Sequence, residues 1–194
     1  MKLVQMPRDL LHLEQNDLPG LGVERGLLAG FEQYLSLAAD DEVGLAILGP
    51  PEAGTRELLM VLARRVGAAL RNENIRLRDR GGDRTARYKK LCYLPGGALP
   101  RALRAPGARR ALGCEAVCFF QDLEMAWADG AAALDPSVFL ELLDLRLARQ
   151  LPSYASAAPG LLSAGLEGEL RARLRVLEAK RGGGMLPQGP APSA

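Results

Sequence analysis

The feature of this sequence that most constrains its fold is an apolar run that leads through a glycine-containing loop into a helix pattern. The run Val43–Leu48 is bounded by breakers, which is typical of a buried parallel strand. The loop Gly49–Gly54 follows, and leucines and valines then recur on one side of a helix predicted over Thr55–Leu70. A phosphate-binding loop belongs between a strand and a helix, because its backbone N–H groups can there point at an anion.

Strand and helix patterns continue to alternate along the chain. Further strands are predicted at Leu91–Leu94, Ala116–Phe120, Leu151–Ser156 (weakened by Pro152) and Leu174–Leu177. Helices are predicted at Val23–Ala39, at Leu99–Leu112 with a break near Pro106, from Pro136 onward, and at Gly168–Arg173. Strands that alternate with helices predict a three-layer α/β fold with a mainly parallel sheet.

The distribution of polar residues predicts three parts. An N-terminal arm covers residues 1–20, an α/β domain covers 21–180, and a Gly/Pro-rich flexible tail covers 181–194. Residues 71–90 carry eight basic and three acidic side chains around a Gly-Gly pair. We predict a loop or a mobile insertion for this segment.

Composition excludes several classes of protein. With 25 Lys and Arg against 23 Asp and Glu, the net charge of +2 is too small to indicate nucleic-acid binding. No apolar run approaches the ~20 residues that cross a bilayer, and the N-terminus carries charges where an export signal needs apolar residues. We therefore expect a cytoplasmic protein without membrane contact. The three cysteines form no CxxC pair and the chain has one histidine, so we expect no metal site.

The glycine-containing loop lacks part of the chemistry of a phosphate site. Gly49 and Gly54 have the required spacing, but Thr55 stands where a lysine reaches the β- and γ-phosphates, and Arg56 where Ser or Thr holds Mg²⁺. Two prolines remove N–H donors, and Glu52 adds negative charge. One interpretation is a nucleotide site in which Arg56 supplies the missing charge. We favour the other, a former phosphate loop that is kept as a structural turn.

The end of the third predicted strand carries a second candidate group. An apolar strand that ends in a carboxylate can hold Mg²⁺ beside a nucleotide. Here Gln121 takes the metal-binding position, and Asp122 and Glu124 are the acidic candidates. The alternative is that Asp122 and Glu124 are solvated acidic side chains at the end of a strand and bind no metal.

Taken together these segments resemble the DnaA family of AAA+ proteins, especially the short regulatory-inactivator branch that lacks a DNA-binding domain. The resemblance covers roughly Leu45 to Lys180. The matching pieces, in order, are LGPPEAGTRELLMVLARR, LCYLPGG, AVCFFQDLEMAWADG, FLELLDLRLARQ, SYASAAPG and GLEGELRARLRVLEAK. The resemblance implies a P-loop NTPase domain of the AAA+ type and a role in the initiation of DNA replication.

Several departures from the family pattern imply a pseudo-ATPase. Thr55 replaces the P-loop lysine, Gln121 the first acidic residue of the metal-binding strand, and Ala157 the sensor aspartate. These groups supply the electrostatic stabilisation on which phosphoryl transfer mostly depends. The family's helical lid would follow residue 180, and we expect it to be absent. We therefore expect no cofactor, with ATP or ADP and Mg²⁺ as the alternative.

One functional position of the family is retained. Arg173 matches the arginine finger, whose guanidinium stabilises charge on the γ-phosphate of a neighbouring subunit. The structural alternative is a solvated basic helix face. The partner implied is a DnaA-type or other AAA+ protein. Residues 2–7 have a weak similarity to a motif that binds the sliding clamp. The simpler interpretation is a flexible arm or an added strand without that role.

Three functions therefore remain open. The first is a regulatory module without ATPase activity that acts on an AAA+ partner through Arg173. The second is a divergent ATPase that uses Arg56, Asp122 and Glu124. The third is an accessory protein that binds nucleic acid through residues 71–90, although few aromatic residues are available there for base stacking.

Overall fold

The computed structural model describes residues 14–37, 44–79, 89–128 and 134–179. Five strands form one sheet in the order β2-β3-β4-β1-β5, and every pair of neighbours is parallel. Their bounds are β1 Gly44–Leu48, β2 Leu91–Pro95, β3 Val117–Gln121, β4 Ser153–Ala157 and β5 Arg175–Glu178. The predicted α/β class with a mainly parallel sheet is confirmed.

In the described ranges, six α-helices connect and cover the strands. They are α1 Arg25–Leu37, α2 Thr55–Asp79, α3 Leu99–Arg104, α4 Ala108–Leu112, α5 Pro136–Leu147 and α6 Ala164–Arg173. The predicted break near Pro106 separates α3 from α4. Short 3₁₀ turns lie at Gln15–Leu21, Pro51–Ala53, Gly96–Ala98, Leu123–Ala126 and Pro159–Leu161. Within the described ranges no helix is long and apolar enough to cross a membrane.

The sheet is buried on both faces, which gives the fold three layers. Side chains of one face, such as Ile47 and Phe119, pack with α1 and α2 in one apolar cluster. Side chains of the other face, such as Leu48 and Phe120, pack with α3 to α6 in a second cluster. Residues that alternate along a strand point to opposite faces, so continuous apolar runs are needed to fill both layers.

Helix α2 corrects one prediction. Residues 71–79 were predicted to belong to a loop or mobile insertion, and they are instead the last turns of a 25-residue helix. This stretch is rich in Arg, Asn and Glu and has few apolar residues at helical spacing, but arginine and glutamate are good helix formers. The Asn74 side chain also donates to the carbonyl of Lys89 and accepts from its N–H, both at 2.9 Å. Residues 80–88 lie outside the described residues.

The chain before α1 contributes to the core. Leu18 lies in the 3₁₀ turn Gln15–Leu21 and is fully buried in the cluster that includes α1 and α2. The boundary predicted at residue 20 therefore lies inside this turn. The clamp-like motif at residues 2–7 and the tail over 181–194 lie outside the described residues, so the three-part division remains a prediction.

Strand β4 forms in spite of the proline that precedes it. Pro152 lies just before Ser153, the first residue of the strand, so its missing N–H is not required by the ladder. Its carbonyl accepts from the N–H of Cys118 at 3.3 Å and from Nη2 of Arg146 at 2.7 Å. This places β4 between β1 and β3 and brings its last residues to the edge of the sheet where the candidate site lies.

Candidate functional site

The residues predicted from the loop and from the third strand meet in one cavity. The cavity has a volume of about 310 Å³ and lies beyond the carboxyl ends of β1, β3 and β4. In open parallel sheets this edge is the usual place for a ligand. The predicted site residues in its lining are Gly49, Thr55, Arg56, Asp122 and Glu124.

The loop between β1 and α2 offers few N–H groups to an anion. Pro50 and Pro51 have none. The N–H of Gly49 donates to the carbonyl of Ala157 at 3.0 Å, and that of Ala53 donates to the carbonyl of Pro50 at 2.9 Å. Between residues 49 and 54, only positions 52 and 54 can still direct an N–H at a ligand. A phosphate cradle needs several converging N–H groups, and residues 49–54 supply few of them.

Gly54 closes the loop tightly. Its φ of +80° lies in the left-handed region that glycine tolerates, and a Cβ there would stand 2.6 Å from Cγ2 of Val23. The N–H of Glu24 donates to the carbonyl of Ala53 at 3.2 Å and ties the loop to the start of α1. The geometry is that of a packed turn held by its neighbours.

A chain of hydrogen bonds occupies the polar end of β3. The Tyr93 hydroxyl donates to Oε1 of Gln121 at 2.6 Å, and Nε2 of Gln121 donates to Oδ2 of Asp122 at 2.6 Å. Gln121 is buried, and its amide is bonded at both ends. The amide therefore serves as an internal connector between Tyr93 and Asp122.

The environment of Tyr93 favours the protonated form of its hydroxyl. Burial and the neighbouring Asp122 carboxylate raise the pKa of the Tyr93 hydroxyl above its ordinary value, and the Arg56 guanidinium opposes that rise. The hydroxyl therefore remains a donor at neutral pH. Local sequence patterns do not reveal Tyr93 as a site residue, because its partner Gln121 lies 28 positions away along the chain.

Asp122 is held in an unusual backbone conformation. Its φ of 50° and ψ of 57° place a non-glycine residue in the left-handed region, which has a cost in conformational energy. Its N–H donates to Oγ of Ser156 at 2.9 Å, and the carbonyl lies so near Gly96 that a Cβ there would be 2.0 Å from it. Ser156, which is fully buried, was also missed as a site residue.

Glu124 is fixed to the adjacent strand end. Its Oε2 accepts from the N–H of Ala158 at 2.9 Å, just after β4. One of its oxygens is therefore used to join β3 and β4. Within the described residues, no group of three or more His, Cys, Asp or Glu side chains has the arrangement of a metal site.

Arg173 lies far from this cavity. It stands just before β5, whose first residue Arg175 pairs with Leu45, so Arg173 is at the amino edge of the sheet. Its Nε donates to Oδ1 of Asp144 at 2.6 Å and its Nη2 to Oδ2 at 3.1 Å, and its Nη1 is paired with Glu169. These hydrogen bonds raise the pKa of Arg173 and lower that of Asp144.

Comparisons with known proteins give structural relatives only. No protein-family model matches the chain, and no curated protein matches it either. Among solved structures, domain III of the Thermotoga maritima replication initiation protein DnaA has a TM-score of 0.61 and 11% identity over 91% of this chain and 69% of its own. DnaI has a TM-score of 0.57 and 16% identity over 90% of this chain and 95% of its own.

These relatives establish the fold. It is the AAA+ P-loop fold. A third structure, the replication initiator DnaA bound to AMPPCP and single-stranded DNA, has a TM-score of 0.53 and 12% identity and covers 87% of this chain. The chain spans about half of the length of that protein, 51%. At such identities the likeness extends to the fold, and the function has to be argued from the site.

Proposed function

We propose that this chain is a regulatory protein of the AAA+ class that acts in the initiation of DNA replication without hydrolysing ATP. The observation that carries the proposal is the state of the candidate cavity. Its loop has two prolines and two engaged N–H groups, and the position of the P-loop lysine is Thr55. The relatives in fold include replication initiation proteins, which supports the pathway but not the mode of action.

The chemistry of phosphoryl transfer explains why these changes matter together. The transferred phosphoryl group needs a metal ion and cationic groups to neutralise its charge, and those groups supply most of the catalysis. Here Gln121 is a connector between Tyr93 and Asp122, and Glu124 bonds the backbone of Ala158. Arg56 remains as a cation beside the cavity. This residue supports a second candidate function, a divergent ATPase that binds nucleotide weakly in this cavity; a neighbour in fold is a replication initiator bound to AMPPCP.

The regulatory step in this proposal is made by Arg173 in trans. Its position just before β5 is on the edge of the sheet opposite to the chain's own cavity, so it cannot serve that cavity. In the isolated chain Asp144 and Glu169 hold its guanidinium. The γ-phosphate of an AAA+ partner, such as a DnaA-type protein, would replace these carboxylates as its ligand. The same proposal includes a cytoplasmic location. Contact with a sliding clamp is supported by the motif-like residues 2–7 alone.

The experiment is an ATPase assay of a DnaA-type partner with and without this chain. We expect faster hydrolysis by the partner, and its loss in Arg173→Ala, since an arginine finger contributes about 10³–10⁵-fold to kcat. Arg171→Ala is the matched control. Arg171 lies two residues away on the same helix and is also paired with two carboxylates, Glu167 at 2.8 Å and Glu178 at 2.7 Å.

Two outcomes would contradict the proposal. If the two variants lose stimulation equally, the effect comes from charge or from helix stability and not from a finger. If this chain hydrolyses ATP without a partner and Arg56→Ala abolishes the activity, the divergent ATPase replaces the regulatory function.

A further inference from the structure

A second concave surface lies apart from the candidate cavity. A groove of about 360 Å³ runs between the C-terminal half of α2 and the beginning of β2. Its position is at the amino edge of the sheet, since Leu91 is the first residue of β2 and pairs with Val117 at the start of β3. The side chains used below are Leu70, Arg71, Ile75, Arg78, Lys89 and Leu91.

The groove combines an apolar floor with cationic sides. Arg71, Ile75 and Arg78 are spaced by four and three residues on α2, so they lie on one face of the helix. The two arginines stand roughly 10 Å apart along the helix axis, from the rise per residue. Ile75 is 41% exposed, one of four large apolar side chains that the described residues leave so open.

The wall opposite α2 is fixed before any ligand arrives. The Asn74 amide makes both hydrogen bonds with the backbone of Lys89, as a neighbouring strand would, and Nζ of Lys89 pairs with Glu73 at 2.7 Å. A surface that is already ordered loses less entropy when a partner binds. The groove is therefore a preorganised feature of the fold.

Positive charge dominates around the groove. Among the described residues Arg71 makes no ion pair, and Arg78 pairs only with its neighbour Asp79 at 3.3 Å. Both partners of that pair are more than 60% exposed, and such pairs are worth little and exchange readily. Guanidinium groups are well suited to bind a carboxylate through two hydrogen bonds.

We propose that this groove binds an acidic amphipathic peptide segment of a partner protein. An apolar side chain of the peptide covers Ile75 between Leu70 and Leu91, and flanking carboxylates bind Arg71 and Arg78. A nucleic-acid strand fits less well, because the described lining contains no aromatic ring on which a base could stack. This surface is separate from Arg173, so the inference does not depend on the finger.

The test begins with a phage-displayed library of random peptides of about 12 residues, which span about 40 Å when extended and so reach well beyond both arginines. It is selected in parallel on the full wild-type chain and on Arg71→Glu/Arg78→Glu. We expect peptides that are enriched on the wild type alone and that combine Asp or Glu with Leu, Ile or Met.

A fluorescein-labelled copy of the most enriched peptide is then titrated by fluorescence anisotropy. Arg71→Ala/Arg78→Ala should weaken its binding at least about tenfold, and Ile75→Asp should do the same. Arg76→Ala is the matched control, an exposed arginine of the same helix outside the groove lining, and should leave the affinity unchanged. Unfolding midpoints and circular dichroism establish that each variant is folded, and the alanine pair replaces the glutamate pair in the selection if the latter fails to fold.

Three results would overturn the proposal. The first is equal enrichment of peptides on both proteins, and the second is enriched peptides without acidic residues. The third comes from a fluorescein-labelled single-stranded DNA: if it binds with a steep salt dependence, loses affinity in Arg71→Ala/Arg78→Ala and no peptide is enriched, the groove is a nucleic-acid site.

Discussion

Replacing Arg146 by methionine should destabilise the fold strongly, although the side chain is far from the candidate cavity. Arg146 is fully buried. Its Nη1 donates to the carbonyls of Leu112 at 2.5 Å and Glu115 at 2.9 Å, and its Nε donates to Oγ of Ser153 at 2.9 Å. With the bond to Pro152, one guanidinium joins the end of α4 to the beginnings of β3 and β4.

The magnitude follows from the acceptors that would be left behind. A buried carbonyl that loses its donor costs about 1–3 kcal/mol. Arg146 donates to the carbonyls of Leu112 and Glu115, and the first of these would keep the weak Sγ donor of Cys118 at 3.6 Å. Methionine also removes the cost of burying a charge, a cost that lowers the pKa of Arg146. We therefore expect Arg146→Met to lower the free energy of unfolding by about 2–4 kcal/mol.

The assay is urea denaturation followed by far-UV circular dichroism. Arg149→Met is the matched control, since Arg149 lies one turn later, is exposed, and donates to the carbonyl of Gly113 at 2.8 Å. It should cost less than about 1 kcal/mol. The reasoning is refuted if Arg146→Met stays within that range of the wild type, or if the control costs as much.

Two further predictions concern other contacts. Gly96→Ala should lower the free energy of unfolding by about 1–3 kcal/mol or more, because the new Cβ would stand 2.0 Å from the Asp122 carbonyl oxygen. A Cβ at Gly97 meets nothing within 4 Å, so Gly97→Ala should be nearly neutral when both variants are compared by thermal unfolding. Asp144→Asn should lose the pairing with Arg173 that lowers the pKa of Asp144, a contribution present above about pH 4 and lost as the pH falls further. For so exposed a pair the difference in the free energy of unfolding between wild type and Asp144→Asn should be below about 1 kcal/mol at pH 7, and the small difference in Tm should vanish towards pH 3. A difference in Tm that widens in acid would contradict the assignment.

The elements with strong local signals could be predicted from the sequence. The run that forms β1 is apolar and bounded by breakers, and the helix after it shows clear periodicity. The predicted end of β1 at Leu48 and the predicted start of α2 at Thr55 are therefore both confirmed. The last turns of α2 have no such periodicity. They are held by helix propensity and by the Asn74–Lys89 contact across 15 positions, which a local pattern does not contain.

The hydrogen bonds within the site could not be predicted from the sequence for a similar reason. Tyr93, Gln121 and Ser156 meet only because β2, β3 and β4 are neighbours in register. The burial of Arg146 did leave a signal. It continues the helix face of Phe139, Leu142 and Leu143 at three- and four-residue spacing, which marks an arginine at a core position.

The most direct test of the central claim is the thermal unfolding midpoint with and without millimolar Mg-ATP. The engaged N–H groups of the loop and the threonine at position 55 predict no change in the midpoint. A ligand at 100 times its Kd would stabilise the native state by about 2.7 kcal/mol, a shift of roughly 5–10 °C for a chain of this size. A rise of that order, lost in Arg56→Ala, would contradict the account and identify a working nucleotide site.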